Sequence, residues 1–204
     1  MFAANKYLKL AKQVIKGKHI YLRIAEKSDY QQWLEIRSNN QDFLKPYEPI
    51  WHKEALLKKT FYARVRNDKY AASADVKYAF LIFRISDNRL LGGINMNNVQ
   101  RGVFQACAIG YWLGQTENSK GYMTEAVGLI TENSFAKWQL NRVQAATLIN
   151  NHASIKVLEK NGFEREGTAR KYLKINNQWQ DHLLFAKIRP DLPKTIQRSN
   201  LLQK

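Results

Sequence analysis

The chain is 204 residues long, 45% hydrophobic and 12% aromatic, which suits one domain with a sizeable core. Lysine and arginine number 33 against 17 aspartates and glutamates, and the resulting +16 favours an anionic partner: a nucleic acid, an acidic membrane surface or a phosphorylated cofactor. No uninterrupted apolar run approaches ~18 residues, so no membrane-spanning helix is expected. The single cysteine, Cys107, excludes a disulfide within the chain and suits a reducing compartment.

Residues 1–17 set Lys6, Lys9, Lys12 and Lys16 among Leu8, Leu10, Ala11, Val14 and Ile15. The lysines cut every apolar run short, which argues against a secretory signal. A small basic amphipathic helix fits, meeting RNA or lipid headgroups or packed on the domain itself. His19 to Ile24 is expected as a first strand. Ser28-Asp29-Tyr30-Gln31 is a capping-box pattern, followed by Trp33, Leu34 and Ile36 as a helix face. Phe43 to His52 contains Pro46 and Pro49 among aromatics, a stiff apolar loop that either lines a pocket or caps the core. A second helix is expected from Glu54 to about Tyr70, with Leu57, Phe61 and Val65 at helical spacing. Tyr78 to Ile85 and Leu90 to Val99 then read as strands around a turn at 86–88.

Phe104 to Leu113 is apolar, rich in aromatics and predicted as a buried strand, with Cys107 as a small core residue inside it. Residues 114–121 are polar and form a loop. From Tyr122, the spacing of Ala126, Leu129, Ile130, Phe135 and Trp138 gives a long helix with one apolar face. A strand feeding a short loop that opens a helix presents free N–H groups and the positive end of the helix dipole, a place that binds phosphate. Lys120 adds a mobile charge there, and Gly121 permits close approach of the main chain. Arg142 to Ile149 is a further strand, and Asn150-Asn151 caps a helix through about Lys160 that ends at Asn161-Gly162. Phe163 to Thr168, Tyr172 to Ile175 and Trp179 to Ile188 are the closing strands, with a hairpin turn at Asn176-Asn177. The order predicts one mixed sheet flanked by helices, an α/β or α+β layout.

Four stretches carry a resemblance: Phe43 to Pro49; Val99 to Cys107 with Gly110, Tyr111, Gly114 and Gln115; Lys120 to Ala126; and Asn151 to Ser154 with Leu158 to Phe163, echoed at Gln178 to His182. From about Lys18 to Pro190 the chain resembles the GCN5-related N-acetyltransferase (GNAT) superfamily, and within it the RimJ type, the ribosomal-protein-alanine N-acetyltransferases. The resemblance implies a mixed, mostly antiparallel central sheet flanked by helices, as one domain over 18–190 between a basic extension (1–17) and a basic tail (191–204). It implies acetyl-CoA as cosubstrate and no metal. The cofactor would be held by Tyr111, Trp112 and Leu113 of the central strand, by Asn118, Ser119, Lys120, Gly121, Tyr122, Met123 and Thr124 of the loop, and by Asn151 and Ser154. Gly121 matches the superfamily's loop pattern, while Asn118 and Met123 depart from it.

In that scheme, backbone N–H groups near Trp112 and Leu113 polarise the thioester carbonyl, and Ser154 protonates the departing sulfur. In the stretch that matches a proposed catalytic Glu of related enzymes, Arg170 to Leu173, no carboxylate stands. Glu48, His52 and Glu125 remain as candidate bases, Glu48 foremost. The expected activity is cytoplasmic acetylation of a ribosomal protein's N-terminal alanine, with rRNA or a ribosomal particle as a further contact for the basic surface. A small-molecule N-acetyltransferase acting on an aminoglycoside, polyamine or amino acid is the enzymatic alternative. A non-catalytic basic module bound to ribosome or RNA is the other.

Overall fold

The computed structural model describes Lys9 and residues 14–190 of the chain. The elements run β1 (Ile15–Lys16), β2 (Ile20–Ile24), α1 (Tyr30–Asn39), α2 (Gln41–Leu44), α3 (Lys58–Ser73), β3 (Tyr78–Arg84), β4 (Leu90–Gln100) and β5 (Ala106–Leu113). Then follow α4 (Tyr122–Ala136), β6 (Arg142–Leu148), α5 (His152–Lys160), β7 (Glu164–Ile175) and β8 (Gln178–Ile188). Among the described residues the strands form one eight-stranded sheet in the order β1-β2-β3-β4-β5-β6-β8-β7. Every neighbouring pair is antiparallel except β5 and β6, which are parallel. Parallel neighbours need a crossover connection, and α4 supplies it.

Both faces of the sheet are covered, and β3 shows why its sequence is an unbroken apolar run. Tyr78, Phe80 and Ile82 point to one side, into a core completed by Met123, Ala126, Val127 and Ile130 of α4 and Leu158 of α5. Leu81 and Phe83 point to the other, against Trp33 of α1 and Phe61 and Val65 of α3. The strand period of two therefore divides one sequence between two cores.

Three local expectations are corrected. The turn into α1 is organised by Asp29 rather than Ser28: its carboxylate accepts from the Glu26 N–H at 2.7 Å and from both Arg23 Nη atoms at 2.6 and 2.8 Å. The bidentate guanidinium fixes that carboxylate where a Ser28 cap would have stood. The second helix begins at Lys58, not Glu54, because Leu57 is extended with ψ 146° and residues 52–57 make two tight turns instead. The expected pair of strands after Phe163 is a single β7, interrupted by register shifts at 165–167 and 169–173. Asn176 and Asn177, with φ of 42° and 63°, make the hairpin turn that joins β7 to β8. The helix expected within 1–17 lies almost wholly outside the described residues, and Ile15–Lys16 pairs with β2 as a short strand. The tail from 191 also lies outside them.

Cys107 is buried in the main core, and burial pushes its thiol up to about 12. The native protein should resist a thiol-alkylating reagent at pH 8 and react fully in denaturant. Rapid labelling of the folded protein, followed by mass spectrometry, would contradict this placement.

Candidate active site

The site begins where β5 and β6 part. They pair only from Ala106↔Arg142 to Ile109↔Ala145, although β5 continues to Leu113 and β6 to Leu148. On its other side β5 stays bonded to β4 through Leu113↔Gly92, and Gly114 N–H donates to Leu91 C=O at 2.9 Å. Backbone direction alternates along a strand. With Gly114 facing β4, Trp112 also turns its N–H to β4, while those of Leu113 and Tyr111 face the opening. The sequence points to backbone N–H groups near Trp112 and Leu113; by direction, those that face the opening are at Leu113 and Tyr111, and Trp112 lines the cavity as well.

A cavity of about 540 Å³ occupies the opening. Tyr111, Trp112, Leu113, Asn118, Ser119, Gly121, Tyr122, Met123, Thr124, Asn151 and Ser154 all line it, as do Phe43, Leu44, Tyr47 and Glu48 from the stiff loop. That loop is therefore a pocket wall. Gly121 is the N-cap of α4 with φ +83°, and Ser119 has φ +61°. These left-handed residues swing the chain into the helix with no side-chain cap, so the first-turn N–H groups of α4 have no partner within the helix. A Cβ on Gly121 would meet nothing within 4 Å, so the glycine is required by its backbone conformation rather than by crowding.

Lys120 departs from expectation. Its ammonium is 3.1 Å from the buried Glu117 carboxylate, which also pairs with Arg84 at 3.4 Å, and it does not line the cavity. The lining cations are instead Lys156 and Lys160 of α5. The sequence reading missed them, though the signal existed: with Ala153 and Val157 they share one face of a helix whose start was legible. Glu125 also lies elsewhere, accepting from the N–H groups of Lys18 and His19 at 2.5 and 2.9 Å. His52 lines a separate, smaller hollow.

At the centre, Asn151 Oδ1 accepts from Ser154 N–H at 3.1 Å and fixes the first turn of α5. This brings Ser154 Oγ to 2.8 Å from Tyr111 Oη. Burial pushes the Tyr111 hydroxyl up to about 12, partly offset by that bond, so it remains protonated across the neutral range. At the opposite wall Glu48 is held by both Nη atoms of Arg37 at 2.8 and 2.5 Å and by Trp51 Nε1 at 2.7 Å. The Arg37 guanidinium in turn lies between the rings of Trp51 (4.0 Å) and Trp112 (4.8 Å).

A split parallel pair, an uncapped helix N-terminus and a serine–tyrosine pair thus meet at one cavity. Residues 19–164 fit the family model for the acetyltransferase (GNAT) domain. The chain is an N-acetyltransferase of the GNAT family. It is 38% identical over 178 residues to the probable N-acetyltransferase YjcK of Bacillus subtilis, covering 87% of this chain and 98% of that one. It is 31% identical over 172 residues to the [ribosomal protein uS5]-alanine N-acetyltransferase of Escherichia coli, covering 84% and 89%. The structure of Mycobacterium smegmatis RimJ in complex with CoA-disulfide superposes with a TM-score of 0.80 at 28% identity, covering 86% of this chain and 84% of that one. The eight-stranded, mostly antiparallel sheet flanked by helices is the GNAT fold.

The Arg37–Glu48 pair makes a stability prediction. Arg37→Met removes two charge-assisted bonds from a carboxylate that is mostly buried. Losing one partner of a buried pair costs several kcal/mol, and Glu48 keeps the Trp51 donor, so about 2–3 kcal/mol of destabilisation is expected in urea unfolding. A loss below about 0.5 kcal/mol would mean that the pair behaves as a solvated surface contact.

Proposed function

We propose that this GNAT enzyme transfers the acetyl group of acetyl-CoA to the α-amino group of a protein N-terminus, an alanine on a ribosomal protein. The observation that carries this reading is the state of the cavity's carboxylates. Among the described residues Glu48 and Glu117 line it, and both are held in ion pairs, Glu48 by Arg37 and Glu117 by Arg84 and Lys120. No free carboxylate stands ready to deprotonate a strongly basic amine. An α-amino group with pKa ~7.7–8.0 is roughly 10–15% neutral at pH 7, whereas a lysine at ~10.4 is well under 0.1% neutral. The cavity therefore suits a terminus better than a lysine. The name of the Escherichia coli relative supports alanine on a ribosomal protein. A polyamine or aminoglycoside would meet Lys156 and Lys160 and no unpaired carboxylate in this cavity.

The residues fit the donor. The N–H groups opening α4 and the ammonium groups of Lys156 and Lys160 suit its phosphates, and the CoA complex of the Mycobacterium smegmatis neighbour supports this assignment. Acetyl-CoA would supply an activated thioester. The Leu113 and Tyr111 N–H groups on the open edge of β5 are aimed to bond the acetyl carbonyl oxygen. With Tyr111 as the donor in its bond with Ser154 Oγ, the Ser154 proton is free for the departing sulfur. Asn151 holds Ser154 in place and turns its amide to the cofactor arm. Glu48, immobilised by Arg37 and Trp51, orients the incoming amine rather than acting as a strong base, and the proton that the nitrogen sheds on acylation passes through water to restore the one Ser154 gave to sulfur. The 18–190 unit carries this activity between its basic extension and tail, working in the cytoplasm, and the +16 charge supports an added contact with rRNA.

Two measurements test the reading. Ser154→Ala should lower kcat about 100-fold or more with little change in KM for acetyl-CoA, and Tyr111→Phe should cost less, since it removes only the replenishing donor. A Ser154→Ala kcat within threefold of the parent would leave Ser154 as part of a helix cap. Gly121→Glu should abolish acetyl-CoA binding by calorimetry, because it places a charge at the phosphate-binding turn. Unchanged binding by a folded variant would remove the turn from the site.

A further inference from the structure

Behind Glu48 lies a second hollow of about 250 Å³, lined by Arg37, Pro49, Ile50, Leu56, Thr60 and Arg64 among others, and Glu48 lines it as well as the main cavity. Resting on the N-terminal reading above, we propose that this hollow is an acceptor subsite, taking an acidic side chain from the first few residues of the substrate protein and pairing it with Arg64. The two hollows share a wall, so a chain whose amine sits beside Glu48 reaches the second within a few residues, each extended residue spanning about 3.3–3.6 Å. The volume suits one side chain and not a separate ligand.

The charge arrangement selects the occupant. Arg37 is neutralised by Glu48, but Arg64 has no comparable partner. Its Nε is 3.6 Å from Asp68, and Asp68 is already engaged by Lys77 at 2.7 Å. The Arg64 side chain is 37% exposed, so it is reachable. Protein nonetheless crowds the guanidinium: burial lowers its pKa and the nearby Arg37 charge lowers it further, against Asp68 and the Glu48 charge, which raise it. The charged groups that line the hollow are Arg37, Arg64 and Glu48. Glu48 is committed to Arg37 and Trp51, so among the described residues no uncommitted carboxylate lines it beside Arg64, and an incoming one would meet that guanidinium with charge-assisted bonds.

The test uses acetylated product peptides of six residues beginning with alanine, so that binding is read without turnover. One glutamate is scanned from position 2 to 5 against glutamine at the same place, by calorimetry. At one position the glutamate peptide should bind the parent enzyme about tenfold more tightly. The ratio should fall to within twofold in Arg64→Gln and recover in part in Arg64→Lys. Thr60→Glu, one helical turn before Arg64, supplies an internal carboxylate and should erase the preference while leaving Arg64 in place. Ratios within twofold at every position in the parent, tighter binding by an isoleucine peptide, or a preference that survives Arg64→Gln would overturn the subsite alone. Failure of every peptide to bind the folded parent would overturn the N-terminal reading, and the subsite with it.

Discussion

β5 and β6 exchange backbone bonds from Ala106 to Ile109 and then diverge, while their outer partners β4 and β8 continue alongside. A sheet interior that opens this way leaves N–H groups facing the gap at Tyr111 and Leu113. Buried and unpaired, each would cost about 1–3 kcal/mol, so the gap must be wet or filled by something with acceptors. The crossover helix required between two parallel strands starts at the carboxyl end of the first one. That requirement brings the uncapped N-terminus of α4 to the same gap. Two sets of orphan donors, one from a strand and one from a helix, thus converge for topological reasons before any side chain is specified.

Side chains then divide the opening. On one flank Asn151 caps α5 and sets Ser154 against Tyr111. On the other, Arg37 lies between Trp51 and Trp112 and clamps Glu48. Gly93 of β4 makes room for this second arrangement, since a Cβ there would come within 2.6 Å of Trp112 Nε1. The Glu48 backbone carbonyl also accepts from Asn176 N–H at 3.0 Å, so the tip of the β7–β8 hairpin is fastened to the same wall. On both flanks local contacts (Asn151–Ser154, Arg37–Glu48) are joined to long-range ones (Tyr111–Ser154, Arg37–Trp112).

That mixture bounds what could be read without coordinates. The strand–loop–helix at Phe104 to Val127, the Asn151 cap and the hairpin at Asn176-Asn177 rest on local rules, and each stands where the sequence placed it to within two residues. Gly121 was legible as the small residue that opens a helix and permits close approach of the main chain; its left-handed φ of +83° is what the structure adds. The Arg37–Glu48 pair was not legible, because its partners lie 11 residues apart across two turns and nothing periodic links them. Glu125 and Lys120 misled for a related reason. Proximity in sequence to the turn that opens α4 says little about which way a long side chain points, and both found partners elsewhere, Glu125 at the Lys18 and His19 N–H groups and Lys120 at Glu117.

With 33 cationic side chains and 17 anionic ones, carboxylates are the scarce component of this molecule, and two of the buried ones are shared. Glu117 serves both Arg84 and Lys120, and Asp68 serves both Lys77 and Arg64. At the Asp68 junction this leaves positive charge over, whereas at Glu117 the second cation is met by Asp87, which pairs with Arg84 at 2.7 Å. In the interior that residue of charge is less screened than on the surface, because the effective dielectric is lower. Lys156 and Lys160 line the main cavity and Arg64 lines the hollow behind Glu48, so part of the cationic excess faces the two hollows rather than bulk solvent alone. An anionic group from outside the chain that entered either hollow would meet a cation in its wall.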